Sequence, residues 1–201
     1  MASVYDLKPR FQALLRPLVN FLANHGVSAN QVTVAAMLLS LAAGGAIAGY
    51  PTDRWPLLLM PAALFGRMAL NAIDGMLARE HDMKTALGGL LNELGDVLSD
   101  AALYLPLALV PGVSVLWIVL IVILALISEM TGVIAVQVGA TRRYDGPMGK
   151  SDRALVIGLF CLLLGLGVSA ARWLNGALIA VVVLLGVTIF NRARRGLAEI
   201  R

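Results

Sequence analysis

The chain has 201 residues, of which 59% are hydrophobic and 14% charged, and its mean hydropathy is +0.84. This balance excludes an ordinary soluble globular protein and is typical of a polytopic membrane protein. The formal net charge of +4 comes without an aromatic-rich basic surface, so we do not expect nucleic-acid binding and interpret the charge as topology and attraction to anionic lipids.

Residues 5–24 predict an amphipathic helix before the first membrane span. Apolar side chains recur there at helical spacing, from Phe11 to Leu22, between the basic residues Lys8, Arg10 and Arg16. Such a helix can lie on the membrane surface or pack on the ends of a helix bundle, and both arrangements are compatible with the pattern.

Long apolar runs predict six transmembrane helices, since about 20 residues cross a bilayer core as a helix. Pro111 and Gly112 divide the longest run in two. We expect an all-α integral membrane protein that forms a single domain over residues 1–201. The expected spans are about 31–49, 55–79, 86–109, 114–138, 153–170 and 173–191.

The basic residues predict the orientation, because cytoplasmic loops are enriched in Lys and Arg. In a six-span chain, 13 of the 16 Lys and Arg fall on the side that holds both termini. We therefore expect a bacterial inner or plasma membrane protein with both termini cytoplasmic. The residues concerned are Lys8, Arg10, Arg16, Arg79, Lys84, Arg142, Arg143, Lys150, Arg153, Arg192, Arg194, Arg195 and Arg201; the other side holds Arg54 and Arg172, and Arg67 lies inside a span.

Residues 71–100 form a polar stretch within this apolar chain, and ionisable groups at membrane level indicate function. At about 100° per residue, polar and small residues share one face on each of the second and third spans. They are Arg67, Asn71, Asp74, Gly75 and Ala78 on the second span, and Gly88, Asn92 and Asp96, with Asp100 one turn further, on the third. If the two helices are antiparallel neighbours, these faces form a pocket of oxygen ligands suited to Mg²⁺ and phosphate.

A purely structural interpretation stays open. Arg67 could neutralise Asp74, and Glu129 of the fourth span could pair with another cation. The asparagines could join helices by hydrogen bonds. Glu93 lies about 100° away from the Asn92–Asp96 line, so we expect an outward or helix-pairing role for it.

The spacing of the polar stretch resembles the signature of CDP-alcohol phosphotransferases, D-x2-D-G-x2-A-R-x8-G-x3-D-x3-D. Six of the eight fixed positions match, and asparagine replaces the first and third aspartates. The matching residues are Asp74, Gly75, Ala78, Arg79, Gly88 and Asp96, and the replacements are Asn71 and Asn92. The segment from Ser28 to Thr33 also resembles the family's Asn-x-x-Thr segment, and the basic 142–153 stretch resembles its loop before the fifth span.

The resemblance implies a six-helix, commonly homodimeric membrane enzyme with a site that faces the cytoplasm. Such enzymes cleave CDP-diacylglycerol or another CDP-alcohol, pass the phosphoalcohol to an acceptor hydroxyl and release CMP. By position, Asp74, Asp96, Asn71 and Asn92 would hold Mg²⁺ or Mn²⁺, and Asp96 would also be the base. Asn30, Thr33, Gly75, Ala78, Arg79 and Gly88 would surround the nucleotide and pyrophosphate.

The two asparagines remove two formal negative charges from the implied metal site. Three arrangements follow: two ions that bind only with the donor phosphates, one ion, or an acidic centre moved one turn to include Asp100. The two asparagines also suggest an alternative function, in which a degenerate family member binds CDP-lipid or a partner without efficient turnover. A small transporter is a weaker alternative, because the polar cluster lies at one membrane end.

The basic 142–153 loop favours a phosphorylated alcohol as the acceptor. An alcohol phosphate could bind to Arg142, Arg143, Lys150 and Arg153. The same basic residues would also be expected from membrane topology alone.

Overall fold

The computed structural model describes residues 4–170 and 172–200, and within them the regular structure is helical throughout. The helices are α1 (Val4–Asn24), α2 (Ala29–Gly49), α3 (Trp55–Glu80), α4 (Ala86–Tyr104), α5 (Val115–Gln137), α6 (Lys150–Gly165) and α7 (Arg172–Glu199). A 3₁₀ helix, Leu105–Leu109, directly continues α4. The side chains of Lys8 and Arg172 and the whole of Arg201, which contributed to the predicted orientation, lie outside the described residues.

Four of these helices are long and apolar enough to cross a membrane: α2, α3, α5 and, from Trp173 onwards, α7. The other two predicted spans correspond to α4, with 19 residues, and α6, with 16. Helix α4 differs because Asn92, Asp96 and Asp100 interrupt its apolar character, and α6 differs because it is shorter than the roughly 20 residues that cross a bilayer core. The predicted segment 86–109 is covered only by α4 and the 3₁₀ helix together.

Local sequence signals set the helix ends near the polar residues. Ser28 caps α2 through a capping box with Gln31, in which each side chain bonds the other residue's backbone N–H. Thr85 caps α4, because its hydroxyl accepts from the Gly88 N–H at 2.9 Å. Both caps lie at the same end of the bundle and place the first turns of α2 and α4 side by side.

Helix α2 lies at the centre of the polar end, since it packs against both α3 and α4. Gly44 allows the close crossing of α2 and α4: a β-carbon there would lie 1.8 Å from the Ala102 carbonyl oxygen. Helix α6 packs against α3, and α5 packs against α7. Helix α1 lies along α3, where Arg16 forms a salt bridge of 3.0 Å with Glu80.

The larger of two apolar clusters includes Met60, Leu103, Ile121, Ile157 and Leu185. A smaller cluster, which includes Val32 and Ile73, lies beside the polar end. The outer surface is also apolar. Large side chains such as Leu38, Leu94, Ile123, Leu155 and Phe190 are exposed on several helices. An apolar exterior around a partly polar interior is the arrangement that lipid solvation requires.

Candidate functional site

The carboxylate of Asp74 lies where α3 meets α2. It is almost fully buried, at 5% exposure, and its Oδ2 accepts a hydrogen bond of 2.8 Å from the Thr33 hydroxyl. Within residues 4–170 and 172–200, Asp74 forms no salt bridge. Arg67 therefore does not neutralise it, and its negative charge is available to a ligand.

The carboxylate of Asp96 on α4 has a different environment. Its Oδ1 accepts from the Asn71 amide at 3.2 Å and forms an ion pair with the ammonium group of Lys150. The Arg67 guanidinium lies 3.6 Å from the same oxygen and donates to the Asp96 backbone carbonyl at 3.0 Å. The two signature carboxylates thus differ sharply, because Asp96 is surrounded by N–H donors and Asp74 is not.

A buried ion-pair network lies one turn deeper. Asp100 accepts from Arg67 at 2.5 Å on one oxygen and from Arg153 at 2.7 Å on the other. Arg153, which has no exposed surface, also donates to Glu129 at 3.1 Å. Asp100 is therefore held between two guanidinium groups, and Glu129 has the cationic partner that sequence reasoning left open.

A polar cavity of about 450 Å³ opens between the ends of α2, α3 and α4. Asn71, Asp74 and Asn92 line one part of it, and Lys84 and Thr85 of the α3–α4 loop line another. The six residues predicted to contact the nucleotide also line it: Asn30, Thr33, Gly75, Ala78, Arg79 and Gly88. Two of the predicted acidic ligands, Asp96 and Asp100, are not part of this lining.

Two glycines of the polar stretch make room for neighbouring polar groups. A β-carbon at Gly88 would lie 2.6 Å from Asn30 Oδ1, so glycine lets Asn30 approach α4 and bond the Thr85 hydroxyl at 3.3 Å. A β-carbon at Gly75 would lie 3.2 Å from both terminal nitrogens of Arg79. The absence of a side chain at Gly75 thus lets the guanidinium fold back over its own helix, along the cavity.

A second concave surface, the α3–α6 groove, begins on the other side of Asn71. Its polar end, of about 190 Å³, is lined by Arg67, Asn71, Lys150 and Ser151. Its apolar part, of about 300 Å³, is lined by Pro61, Leu64, Phe65, Met68, Ser151, Ala154, Leu155, Gly158, Leu159 and Leu162. The two parts meet at shared residues, including Leu64 and Ala154. The groove therefore connects an apolar helix surface to the cationic groups beside Asp96.

The four basic residues predicted to bind an acceptor have separate positions. Lys150 lines the polar end of the groove, whereas Arg153 is buried in the ion-pair network. Arg142 pairs with Glu93 of α4 and lies 3.6 Å from Glu129. Arg143 pairs with Glu199 at 2.8 Å on α7. The structure brings Lys150, but not the other three, against a signature carboxylate.

The loop between α5 and α6 is fastened to α7 through Asp145. This carboxylate accepts from Arg143 at 2.8 Å and from Arg195 at 2.6 Å. Burial raises the pKa of Asp145, but the hydrogen bonds from Arg195 and Arg143 outweigh it and hold that pKa below its ordinary value. The backbone N–H of Met148 also donates to the Thr188 hydroxyl at 3.0 Å. These contacts fix the segment that ends at Lys150.

The side chains that line the polar cavity could hold a divalent cation only if amide oxygens serve as ligands beside the carboxylate of Asp74. Among the described residues, no three His, Cys, Asp or Glu side chains converge as a metal site. Asp74, Asn71 and Asn92 nevertheless line the same cavity and present one carboxylate and two amide groups. Carboxylates, amide carbonyls and substrate phosphates are all suitable ligands for Mg²⁺ or Mn²⁺.

Sequence reasoning missed three contributors. Thr85 and Lys84 line the polar cavity, and a Thr directly before an apolar helical run is a recognisable N-cap signal. Lys84 was interpreted only as a topology residue. The pairing of Lys150 with Asp96 joins residues 54 positions apart. It depends on the packing of α6 against α3, which no local pattern reveals.

Comparison with known proteins agrees with the family resemblance of the polar stretch. A family model described as CDP-alcohol phosphatidyltransferase matches residues 26–188. The inner membrane protein YnbA of Escherichia coli (strain K12) is 43% identical over 194 residues, covering 96% of this chain and 95% of YnbA. With its apolar helices, this similarity identifies an integral membrane protein.

Solved structures with the same fold include phosphatidylinositol phosphate synthase (PgsA1) of Mycobacterium tuberculosis. The form with CDP-DAG bound superposes with a TM-score of 0.74 at 18% identity, covering 92% of each chain. The complex with manganese and citrate gives 0.76 at 17% identity, covering 91% of this chain and 88% of the other. At these identities the similarity establishes the fold.

Proposed function

Because the chain belongs to the CDP-alcohol phosphatidyltransferase family, we propose that it transfers a phosphatidyl group from CDP-diacylglycerol to an alcohol and releases CMP. In this reaction the acceptor oxygen forms a bond to the β-phosphorus, the pyrophosphate P–O bond breaks, and the hydroxyl proton leaves. The observation on which the proposal depends is the polar cavity, where Asn30, Asp74 and Arg79 line one concave surface.

The α3–α6 groove supports a donor that carries acyl chains. Its apolar part has the character of a lipid-binding surface, and its polar end adjoins Asn71, which also lines the polar cavity. A CDP-lipid could therefore place its nucleotide in the cavity and an acyl chain in the groove. The neighbouring PgsA1 structure contains CDP-DAG, which is compatible with this assignment.

Positioning and charge neutralisation are the main requirements of the transfer. Arg79 offers a planar fork of donors to the pyrophosphate, and Lys84 adds a second cation to the cavity lining. Asp96 pairs with Lys150, which lines the polar end of the groove, and in this proposal it accepts the proton of the acceptor hydroxyl. Asn71 and Lys150 orient its carboxylate for that step.

We propose that Mg²⁺ or Mn²⁺ would be held by the oxygens of Asn71, Asp74 and Asn92, which line one cavity, and that Asp96 is the neighbouring fourth signature position. The bound cation would neutralise the phosphate charge that develops during transfer. Asp74 is the primary carboxylate, because it has no cationic partner in the described structure. A neighbouring PgsA1 structure contains manganese.

The acceptor is proposed to be an alcohol that enters at the polar end of the α3–α6 groove. Arg67 and Lys150 line this end, so a phosphorylated alcohol fits better than a neutral one. Arg142, Arg143 and Arg153 are engaged in ion pairs and would contribute to acceptor binding only if those pairs opened.

The proposed topology has six spans, a homodimeric assembly, and both termini and the active site in the cytoplasm. Helix α1 lies beside the polar end, where Arg16 bonds Glu80, as expected of a helix at the membrane surface. In intact cells, a membrane-impermeant maleimide should label the variant Asp53→Cys but not Arg194→Cys. Labelling of Arg194→Cys would contradict the proposed orientation and place the end of α7 outside the cytoplasm. The native thiol, Cys161, is buried.

The alternative, binding without turnover, is supported by the state of Asp96. Its carboxylate is already engaged by Lys150 and the Asn71 amide, so a degenerate site could hold the donor but activate no acceptor. Donor binding with no CMP release across acceptors, and release gained by Asn71→Asp with Asn92→Asp, would favour this alternative.

The test of turnover is CMP release by purified protein. CDP-diacylglycerol, MgCl₂ or MnCl₂ and a panel of acceptors (glycerol phosphate, inositol phosphate and serine) are incubated together, with an active family member as control. We expect CMP with at least one acceptor and its loss in Asp96→Asn. Full activity in Asp96→Asn would contradict the proposed base, and no CMP with any acceptor would contradict the transferase.

A further inference from the structure

We infer that Lys150 serves as a built-in cation at Asp96 and that the active centre therefore takes one divalent metal ion rather than two. The inference refines the proposed transferase site. It starts from the contrast between two carboxylates: within the described residues, the side-chain partner of Asp74 is a hydroxyl, whereas Asp96 has an ammonium, an amide and a nearby guanidinium.

The position of Lys150 is built into the fold. Lys150 begins α6, and its side chain is 29% exposed beside the 19% exposed carboxylate of Asp96. The segment before it is held by the bond from Met148 N–H to Thr188 and by the bond from Arg153 to the Met148 carbonyl. The ammonium group is thus delivered by an anchored backbone rather than by a long surface loop.

The surrounding charges leave no carboxylate for a second divalent ion. Asp100 and Glu129 are bonded by guanidinium groups, and Glu93 pairs with Arg142. Among the signature positions in the described part of the chain, the carboxylates that remain are Asp74 and Asp96, and Asp96 already pairs with Lys150. A second divalent ion at Asp96 would be repelled by this ammonium and by Arg67, 3.6 Å from the same oxygen.

The side-chain oxygens of the polar cavity are sufficient to bind one divalent ion. Asp74 lines the polar cavity with Asn71 and Asn92, and amide oxygens bind Mg²⁺ or Mn²⁺ without adding negative charge. The pyrophosphate of a CDP donor would add further oxygen ligands, and Arg79 and Lys84 already line the same cavity as countercharges. One metal at Asp74 and one ammonium at Asp96 therefore divide the cationic role between them.

Lys150 is a positioning residue in this scheme. Its ammonium group pairs with Asp96 Oδ1, the oxygen that also accepts from the Asn71 amide, and Lys150 itself lines the polar end of the α3–α6 groove. No bond to Lys150 forms or breaks during the transfer.

The experiment counts Mn²⁺ on purified full-length protein, with CDP present as the probe for the donor headgroup. Bound Mn²⁺ is quantified by equilibrium dialysis, and its electron paramagnetic resonance spectrum reports whether two ions are coupled. For the wild type we expect one uncoupled Mn²⁺ per chain. Two ions per chain, a coupled spectrum, or no bound Mn²⁺ would each overturn the inference.

A triple variant tests the role of the ammonium group. Asn71→Asp, Asn92→Asp and Lys150→Met together restore carboxylates and remove the competing cation, so the count should rise from one to two with a coupled spectrum. Arg194→Met, which removes an exposed cation on α7, should stay at one. A monodisperse triple variant that still binds one ion contradicts the role of Lys150. If the triple variant does not fold, the wild-type count still decides the stoichiometry.

CMP release, measured in parallel, separates this inference from the proposed function. If the protein binds one Mn²⁺ per chain but releases no CMP with any acceptor, the metal stoichiometry is confirmed and the proposed transferase activity is contradicted. Two Mn²⁺ with CMP release would do the reverse.

Discussion

The Thr33 hydroxyl donates a hydrogen bond of 2.8 Å to Asp74 Oδ2 and so joins α2 to the buried carboxylate of α3. This bond fixes the direction in which Asp74 faces the polar cavity. Since Asp74 is 5% exposed, water could not readily take the place of the Thr33 hydroxyl if that donor were removed.

Replacing Thr33 with the isosteric valine should therefore weaken the site. A buried acceptor left without its donor costs about 1–3 kcal/mol, so we expect kcat/KM for CMP release to fall about tenfold. Ser40→Ala is the matched control, because Ser40 is a buried hydroxyl on the same helix that bonds its own helix backbone. Equal activity in the two variants would show that the Thr33–Asp74 bond does not organise the site.

Gly88→Ala should impair donor binding. The new β-carbon would lie 2.6 Å from Asn30 Oδ1 and 3.0 Å from the Thr85 hydroxyl, so Asn30 would have to leave its position in the cavity. We expect the KM for CDP-diacylglycerol to rise about tenfold, the equivalent of about 1.4 kcal/mol. In Gly45→Ala, on α2, the β-carbon meets open space, and the KM should be unchanged. An unchanged KM in Gly88→Ala would show that Asn30 does not contribute to binding the CDP donor.

The ion pairs of Asp145 with Arg143 and Arg195 predict a pH-dependent contribution to stability. The pKa of Asp145 is lower in the folded protein than its ordinary value, so its stabilising effect is present above the unfolded pKa of about 3.9 and is lost as the pH falls through the folded pKa. Asp145→Asn should thus lower the Tm in detergent at pH 7, and the difference from wild type should shrink below about pH 4.

The control for this pH dependence is Asp53→Asn, since Asp53 is exposed in the loop between α2 and α3. It should leave the Tm unchanged at both pH values. A Tm difference for Asp145→Asn that stays constant as the pH falls from 7 to well below the unfolded pKa of about 3.9 would show that the carboxylate charge does not hold the loop in place.

The polar cavity was largely predictable because its residues lie at helical spacing on two consecutive helices. Asn71 and Asp74 share one face of α3, and a short loop brings Gly88 and Asn92 of α4 opposite them. The environment of Asp96 was not predictable, because Lys150 comes from a helix 54 residues away. Local periodicity gives the face on which a residue lies, whereas the choice of partner depends on how distant helices pack.

Burial explains the other differences. Arg153 has the same sequence signature as any basic loop residue, yet the first turn of α6 directs it inward, where it has no exposed surface. The end of α4 differs for a local reason, since Pro106 cannot donate a backbone hydrogen bond and the chain continues as the 3₁₀ helix Leu105–Leu109. Neither effect appears in an average of hydropathy over a window.

Arg153 should be the most stability-critical of the four basic residues once predicted to bind an acceptor. Its guanidinium donates to Asp100 at 2.7 Å, to Glu129 at 3.1 Å and to the Met148 carbonyl at 3.2 Å. Arg153→Met leaves two buried carboxylates short of a cation, and breaking a buried pair in this way costs about 3–5 kcal/mol. Thermal unfolding in detergent should show a marked fall in Tm, with a smaller fall in Arg153→Lys, whose single ammonium cannot reach all three acceptors. Arg194→Met, which removes an exposed guanidinium, should unfold like the wild type. If Arg153→Met kept the wild-type Tm and raised only the KM for the acceptor, Arg153 would be a binding residue rather than part of the buried framework.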